Sequence, residues 1–266
     1  MKKTMIAVIL FTMMLIVLVP LKSVARTRKT VTVAVIDTGI DKELPNLCRF
    51  GHKSFVQSSK DPLQDDNGHG THIAGLINAN AGVDNYCLVS IKYYSDSNSG
   101  HQNLVNLEKA LRYAINIKVN FINISGGGPE SFPEEKALIK EALDKGIKVV
   151  VAAGNEKLNL DEKCNYYPAC YDKRLVVVGN LQITKDYRGF NDDMKFLVVE
   201  AGMGNKIGTY ETERAPSSDY GNVVNRWEIG TDVRSTLPGG QFGYKSGTSQ
   251  ATAIATGKLV REILKK

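Results

Sequence analysis

Thr30-Val-Thr-Val-Ala-Val-Ile-Asp-Thr-Gly39 decides how the rest of the chain is read. It is a β-branched, nearly continuous apolar run that stops at an acid and a glycine, the pattern of a strand buried on both faces. Leu88–Tyr94, Val119–Ser125, Ile147–Ala153 and Leu175–Gly179 repeat it. Between them lie two amphipathic helical stretches. Asn103–Lys118 carries Leu104, Leu107, Leu111, Ala114 and Ile115 on one stripe, with Asn103 available as a cap. Pro133–Lys145 opens on proline and is closed by Gly146. Buried strands alternating with such helices predict an α/β fold: a mostly parallel sheet with helices on both faces, in one domain. The carboxyl ends of the strands then line a crevice, so Asp37 is well placed for chemistry, although a lone Asp there is ordinarily a turn or cap residue.

The chain has 266 residues, 42% of them hydrophobic, and a formal charge of +6. Its basic residues are interspersed with acids, which argues against a nucleic-acid partner. The N-terminus reads as an export signal: Lys2 and Lys3, an apolar run from Met5 to Val19, then Ser23-Val24-Ala25 as a cleavage site. Cleavage after Ala25 removes three lysines and leaves +3. The alternative is an uncleaved anchor, the one route by which a membrane would enter. Residues 26–266 form the domain, with a polar excursion of weak periodicity, read as a hairpin, at about 186–213. A secreted or periplasmic location follows, and a monomer is expected.

Four cysteines suit an oxidising compartment, and no Cys-x-x-Cys suggests zinc. Of three connectivities, the local Cys164–Cys170 pair is the natural first choice and leaves Cys48 with Cys87; four buried free thiols are the bland alternative.

Further candidates lie at element ends. Asp66-Asn-Gly-His-Gly-Thr-His-Ile-Ala-Gly75 places His69 between glycines near the start of a helix. His69 and His72, at i and i+3, could hold a metal, but no His-Glu-x-x-His and no third ligand accompany them, so none is assigned. Gly247 and Thr248 precede Ser249, and an Ala-rich helical run follows. The hydroxyl thus meets the positive end of a helix, where a serine is usually only a cap unless a base and an orienting acid accompany it. Asn155 follows the buried strand and Gly154; ordinarily a turn residue, its amide is also a donor suited to developing negative charge. Gly126 to Gly128 is either a plain loop before Pro129 or a close-approach segment, and no Gly-Lys-Ser/Thr makes it a phosphate loop.

Val33-Ala-Val-Ile-Asp-Thr-Gly-Ile40, His69-Gly-Thr-His-Ile-Ala-Gly75, Ala152-Ala-Gly-Asn155 and Gly247-Thr-Ser-Gln-Ala251 together resemble the four signature segments of the subtilisin-like serine peptidases, the subtilases, in the family's order. The resemblance runs from about Val31 to the C-terminus, apart from the excursion, and implies the subtilisin-like three-layer fold. It implies Ser249 as nucleophile, His69 as general base and acid, Asp37 as the orienting acid, and Asn155 with the Ser249 N–H as the oxyanion site. Ser125, Gly126, Gly127 and Gly128 correspond to the segment that pairs with substrate backbone and walls the pocket for the residue before the scissile bond (P1). Ala152, Ala153 and Gly154 correspond to the other wall, and Tyr166, ahead of Tyr167-Pro168, to the floor. A bulky floor implies small or medium P1 side chains. The family fold also sets the strand after the Asp segment beside the strand after the His helix, which favours Cys48–Cys87.

The chain departs from the family pattern in places. Gln250 and Ala253 replace a methionine and a proline of the nucleophile helix, little chain separates Ala25 from Val31 for a propeptide, and the sequence runs about two turns past Gly257 without the family's usual C-terminal helices. Calcium, which relatives bind, is left uncertain: Asn46 occupies one ligand position and the loop Asn78–Val83 is short. No cofactor is required for catalysis. The expected function is an exported serine endopeptidase acting on protein or peptide substrates. The alternative is a catalytically weak or inactive binding protein on the same scaffold, tethered to a membrane if the N-terminus is retained.

Overall fold

The computed structural model describes residues 30–82, 85–186 and 210–266. The export segment and most of the excursion lie outside the described residues. Val31–Asp37 (β1) forms the middle of the sheet, flanked by Tyr86–Lys92 (β3) and Phe121–Ile124 (β4), both parallel to it. Lys53–Ser54 (β2) pairs with β3, and Lys148–Ala152 (β5) continues the parallel order from β4 to Val176–Asp186 (β6). Tyr210–Arg214 (β7) pairs with β6 antiparallel, and Arg226–Ile229 (β8) pairs with it in parallel. The two ends of the excursion are therefore neighbouring strands.

The predicted strands all form, each trimmed or extended by a few residues. That from Leu175 runs on to Asp186 because β7 and β8 supply partners beyond its apolar core.

Successive residues of the central strands feed two separate cores. Ala34, Ile36, Val149 and Val151 face Leu107, Leu111 and Ala114 of Gly100–Asn116 (α2) and Leu138 and Ile139 of Pro133–Asp144 (α3). Val33, Val35 and Val150 face Ile73, Leu76 and Ile77 of His69–Ala81 (α1) and Ala251, Ile254 and Val260 of Thr248–Leu264 (α4). This period-two division makes the three layers.

One expected cap is corrected. Helix α2 begins at Gly100, and Ser99, not Asn103, caps it by accepting from the Gln102 N–H at 3.1 Å. Asn103 lies one turn inside, where its buried amide reaches back to the Ser95 carbonyl.

Val233–Leu237 (β9) and Gln241–Lys245 (β10) form a hairpin around Pro238-Gly-Gly240 that packs on the first turns of α1. Cys48–Cys87 and Cys164–Cys170 are both disulfide-bonded, as expected, with Cα separations of 4.9 and 5.7 Å. No helix among the described residues is long and apolar enough to cross a membrane.

Candidate active site

Asp37 ends β1, between β3 and β4, and is buried. Helix α1 brings His69 to it: His69 Nδ1 lies 2.7 Å from Asp37 Oδ1, which also accepts from the Thr38 N–H at 2.8 Å. The approach is so close that a Cβ on Gly70 would overlap the Gly39 carbonyl, which accounts for the glycine after the histidine. Burial alone would draw the His69 imidazole down, but the adjacent Asp37 charge and hydrogen bond outweigh it and hold the ring above its ordinary value.

Asp65, absent from the sequence reading, fixes the start of α1. The N-cap, Gly68, has no side chain, so Asp65 Oδ1 accepts from the Gly68 N–H at 2.9 Å and Oδ2 from the Thr71 N–H at 2.8 Å. Thr38 Oγ1 donates to Asp65 and accepts from the Gly70 N–H, which ties the end of β1 to the helix carrying the histidine. An acid three residues before a glycine cap was the available signal. His72 turns away: its Nε2 faces the Gly243 carbonyl at 3.2 Å, and burial pushes it down to about 4. Among the described residues no three His, Cys, Asp or Glu side chains converge as a metal site would need.

Ser249 is the second residue of α4, so its N–H has no intrahelical acceptor and points out of the helix start. Its Oγ donates to the Ser125 carbonyl at 2.7 Å, and Ser125 Oγ donates back to the Ser249 carbonyl at 3.1 Å. The serine is thus held against the Gly-rich segment, and its hydroxyl is hydrogen-bonded there, not to His69. Ser125 in turn borders a cavity of about 260 Å³ together with Asp37, His69, Tyr93, Tyr94 and Asp96.

Asn155 follows β5 and approaches α4 from the opposite side. Its Oδ1 accepts from the Thr248 N–H at 2.9 Å and the Thr248 hydroxyl at 3.2 Å. Asn155 therefore caps α4 from another element through its Oδ1, which leaves Nδ2 as the donor end of the amide.

The remaining expected site residues fall as follows. Ala152, Ala153 and Gly154 are buried along β5 and its exit. Tyr166 is buried too, its ring so close to Gly127 that a Cβ there would come within 2.7 Å. Gly126 lies against the Tyr93 hydroxyl. Gly128 differs from expectation: its N–H and C=O pair with Tyr167 at 2.9 and 2.8 Å, so the edge open to another strand ends at Gly127. Asn46 and Asn78, considered for calcium, both hydrogen-bond Tyr86. A second cavity of about 590 Å³, which the sequence did not suggest, runs beside Gly127 and Gly128 between Leu104, Leu107, Phe132 and Glu135. Burial pushes the Glu135 carboxyl up to about 7, with the Tyr171 hydroxyl at 2.8 Å opposing.

A buried acid on an imidazole, a serine at a helix start and an amide donor across from it are the parts of an acyl-transfer site. A family model described as the subtilase family matches residues 28–262. The chain is 33% identical over 245 residues to subtilisin of Bacillus pumilus, spanning 89% of this chain and 78% of that protein. To subtilisin E of Bacillus subtilis it is 33% identical over the same share of this chain but only 56% of that protein. The chain thus spans little more than half the length of several relatives it matches. Among solved structures it is similar in fold to a cold adapted subtilisin-like serine proteinase, with a TM-score of 0.65 and 24% identity over 90% of this chain and 77% of that one. With the family model matched over nearly all of the described residues and a third of the positions identical to a subtilisin, the chain belongs to the subtilase family.

Proposed function

We propose that this chain is an exported serine endopeptidase that cleaves protein or peptide substrates through an acyl-enzyme on Ser249. The observation that carries the reading is the 2.7 Å contact of buried Asp37 with His69 Nδ1, which leaves Nε2 unprotonated and free to act as a base. A substrate strand laid along Ser125–Gly127 displaces the Ser249 hydroxyl from the Ser125 carbonyl. Ser249 Oγ then bonds to the scissile carbonyl carbon as His69 Nε2 takes its proton. The carbonyl oxygen, now negative, is met by the Ser249 N–H and Asn155 Nδ2. His69 returns the proton to the leaving amine as the C–N bond breaks, and water releases the acyl group by the same route. No cofactor enters these steps. The two disulfides suit an extracellular, oxidising compartment.

A fluorophosphonate tests the assignment. The expected result is one adduct per chain, on Ser249; folded protein that takes up no label, or takes it elsewhere, overturns it.

Asn155→Ala should lower kcat by about 10²–10³-fold with little change in KM, a magnitude known from a subtilisin for loss of such a donor. It also strips the Thr248 N–H of its cap, so chemical denaturation should show a loss of about 1 kcal/mol. The specificity prediction concerns Tyr166, whose ring occupies the space beneath Gly127. The native protein should prefer Ala or Val at P1. Tyr166→Gly should raise the Phe-over-Ala ratio of kcat/KM by about tenfold or more, read on a P1 peptide series.

A further inference from the structure

Asp219 lies in the loop after β7 and is fully buried. The turn that carries Asn155 is wrapped around it. Asp219 Oδ1 accepts from the Glu156 and Leu158 N–H groups at 2.9 and 2.8 Å, and the Asp219 N–H donates to the Gly154 carbonyl at 3.0 Å. Oδ2 receives no donor among the described residues. It lies with Glu156 Oε2 over Gly154, whose φ of 114° and missing Cβ make room for them: a Cβ there would collide with both carboxyl oxygens. Glu156 Oε2 in turn accepts from the Asn155 N–H at 2.7 Å. Two carboxyl oxygens are both acceptors, so they can hydrogen-bond only with a proton between them.

We propose that Asp219 and Glu156 share one proton, and that this acid pair is the positioning element that holds the Gly154–Leu158 turn so that Asn155 presents its Nδ2 to the developing oxyanion. The proposal rests on the peptidase reading for the role of Asn155. The proton resides on Asp219 Oδ2 and is donated to Glu156, whose Oε2 then accepts from both Asp219 and the Asn155 N–H. Without it, two negative charges face each other beneath the oxyanion donor, with no cation among the hydrogen-bond partners of Asp219. Tyr166 is near the pair: burial pushes its hydroxyl up, and the charges of Glu156 and Asp219 add to this. Arg214, at the end of β7, is engaged with the Tyr220 ring at 4.2 Å and the Ser218 carbonyl at 2.9 Å. Burial pushes Asp219 up to about 6, with the Leu158 N–H opposing and the Glu156 charge adding. A carboxyl raised on folding stabilises the fold fully below its ordinary value of about 4, and that contribution is lost as pH rises through about 6.

Two variants test the pair. Asp219→Ala removes the acceptor for two N–H groups of the turn and should lower kcat about tenfold or more with KM within about twofold. Asp219→Asn keeps an acceptor oxygen and supplies a permanent N–H toward Glu156, so it should restore most of the lost kcat. Its unfolding equilibrium constant relative to the native protein should improve by about tenfold between pH 5 and pH 8, because only the native pair loses its proton in that range. Overturning results are Asp219→Asn as impaired as Asp219→Ala, which would mean that a negative charge or a bound cation is needed there, or a stability ratio that does not change with pH. If fluorophosphonate fails to label the native protein, the peptidase reading falls, and the unfolding comparison still decides whether the proton is shared.

Discussion

Ser249→Ala should lower kcat on a peptide substrate by about 10⁶-fold while leaving KM within a few-fold, a magnitude known for a subtilisin rather than one set by this geometry. The physical reason is that the serine makes its bond to substrate only during reaction. In the resting site its Oγ has one hydrogen bond, to the Ser125 carbonyl, so the variant loses one half-buried hydroxyl and the fold should weaken by only about 1 kcal/mol. The binding edge at Gly126 and Gly127 is untouched. The Asn155 donor and the helix start that present the oxyanion site also remain, so a rate of about 10³–10⁴ above uncatalysed hydrolysis should persist. Adding His69→Ala to Ser249→Ala should cost almost nothing more, because the base has no work without the nucleophile. Steady-state kinetics on the two single variants and the double variant read this directly. Losses that multiply would show that the two residues do not act as a unit, and an active Ser249→Ala would move the chemistry elsewhere.

The sheet and the candidate-site residues at the ends of its strands are legible because their signals are local. A run such as Thr32-Val-Ala-Val-Ile36 can only be buried on both faces, and Asp37 breaks it at the one place where an acid meets a crevice. His69, Ser249 and Asn155 were likewise marked by flanking glycines and element ends, and the family resemblance gave them roles. What escaped depends on contacts distant in sequence. Asp219 reads as an ordinary loop acid in Ser-Ser-Asp-Tyr, and only folding brings it under the turn at Gly154, more than sixty residues earlier. Glu135 reads as a first-turn acid of α3, where it would favour the helix dipole, yet it faces inward to Tyr171 and a cavity. Asn103 reads as a cap because it adjoins the apolar stripe, but the cap is Ser99, four residues earlier, and a cap need not adjoin the stripe. The β9–β10 hairpin was the most readable omission. Pro238-Gly-Gly240 between two strand-length segments is a turn signal, and the hairpin steadies α1 through Ser235 and Thr236 hydroxyls on the His72 and Thr71 carbonyls.

Asp37→Asn should lower kcat by about 10⁴-fold, the loss known for this kind of change in a serine-protease triad, without opening the site. Asn matches the shape of Asp, and its Oδ1 can still accept from the Thr38 N–H. The amide nitrogen is the fault. If it turns toward His69 it donates to Nδ1, the proton moves to Nε2, and the ring can no longer take a proton from Ser249. If the oxygen stays, the tautomer is kept but no charge remains to stabilise the imidazolium. Burial is the largest influence on His69 and acts downward, and Asp37 is what reverses it. In the variant the imidazole should therefore fall below its ordinary value, and the rising limb of the pH–rate profile should move to lower pH while its plateau drops. A structural injury would lower the plateau and leave the limb in place, so the displaced limb distinguishes lost electrostatic support from disturbed packing. Slow but stoichiometric labelling of Ser249 in Asp37→Asn, against none in Ser249→Ala, would complete the separation of nucleophile from orienting acid. A profile whose limb does not move would mean that the 2.7 Å contact contributes geometry alone.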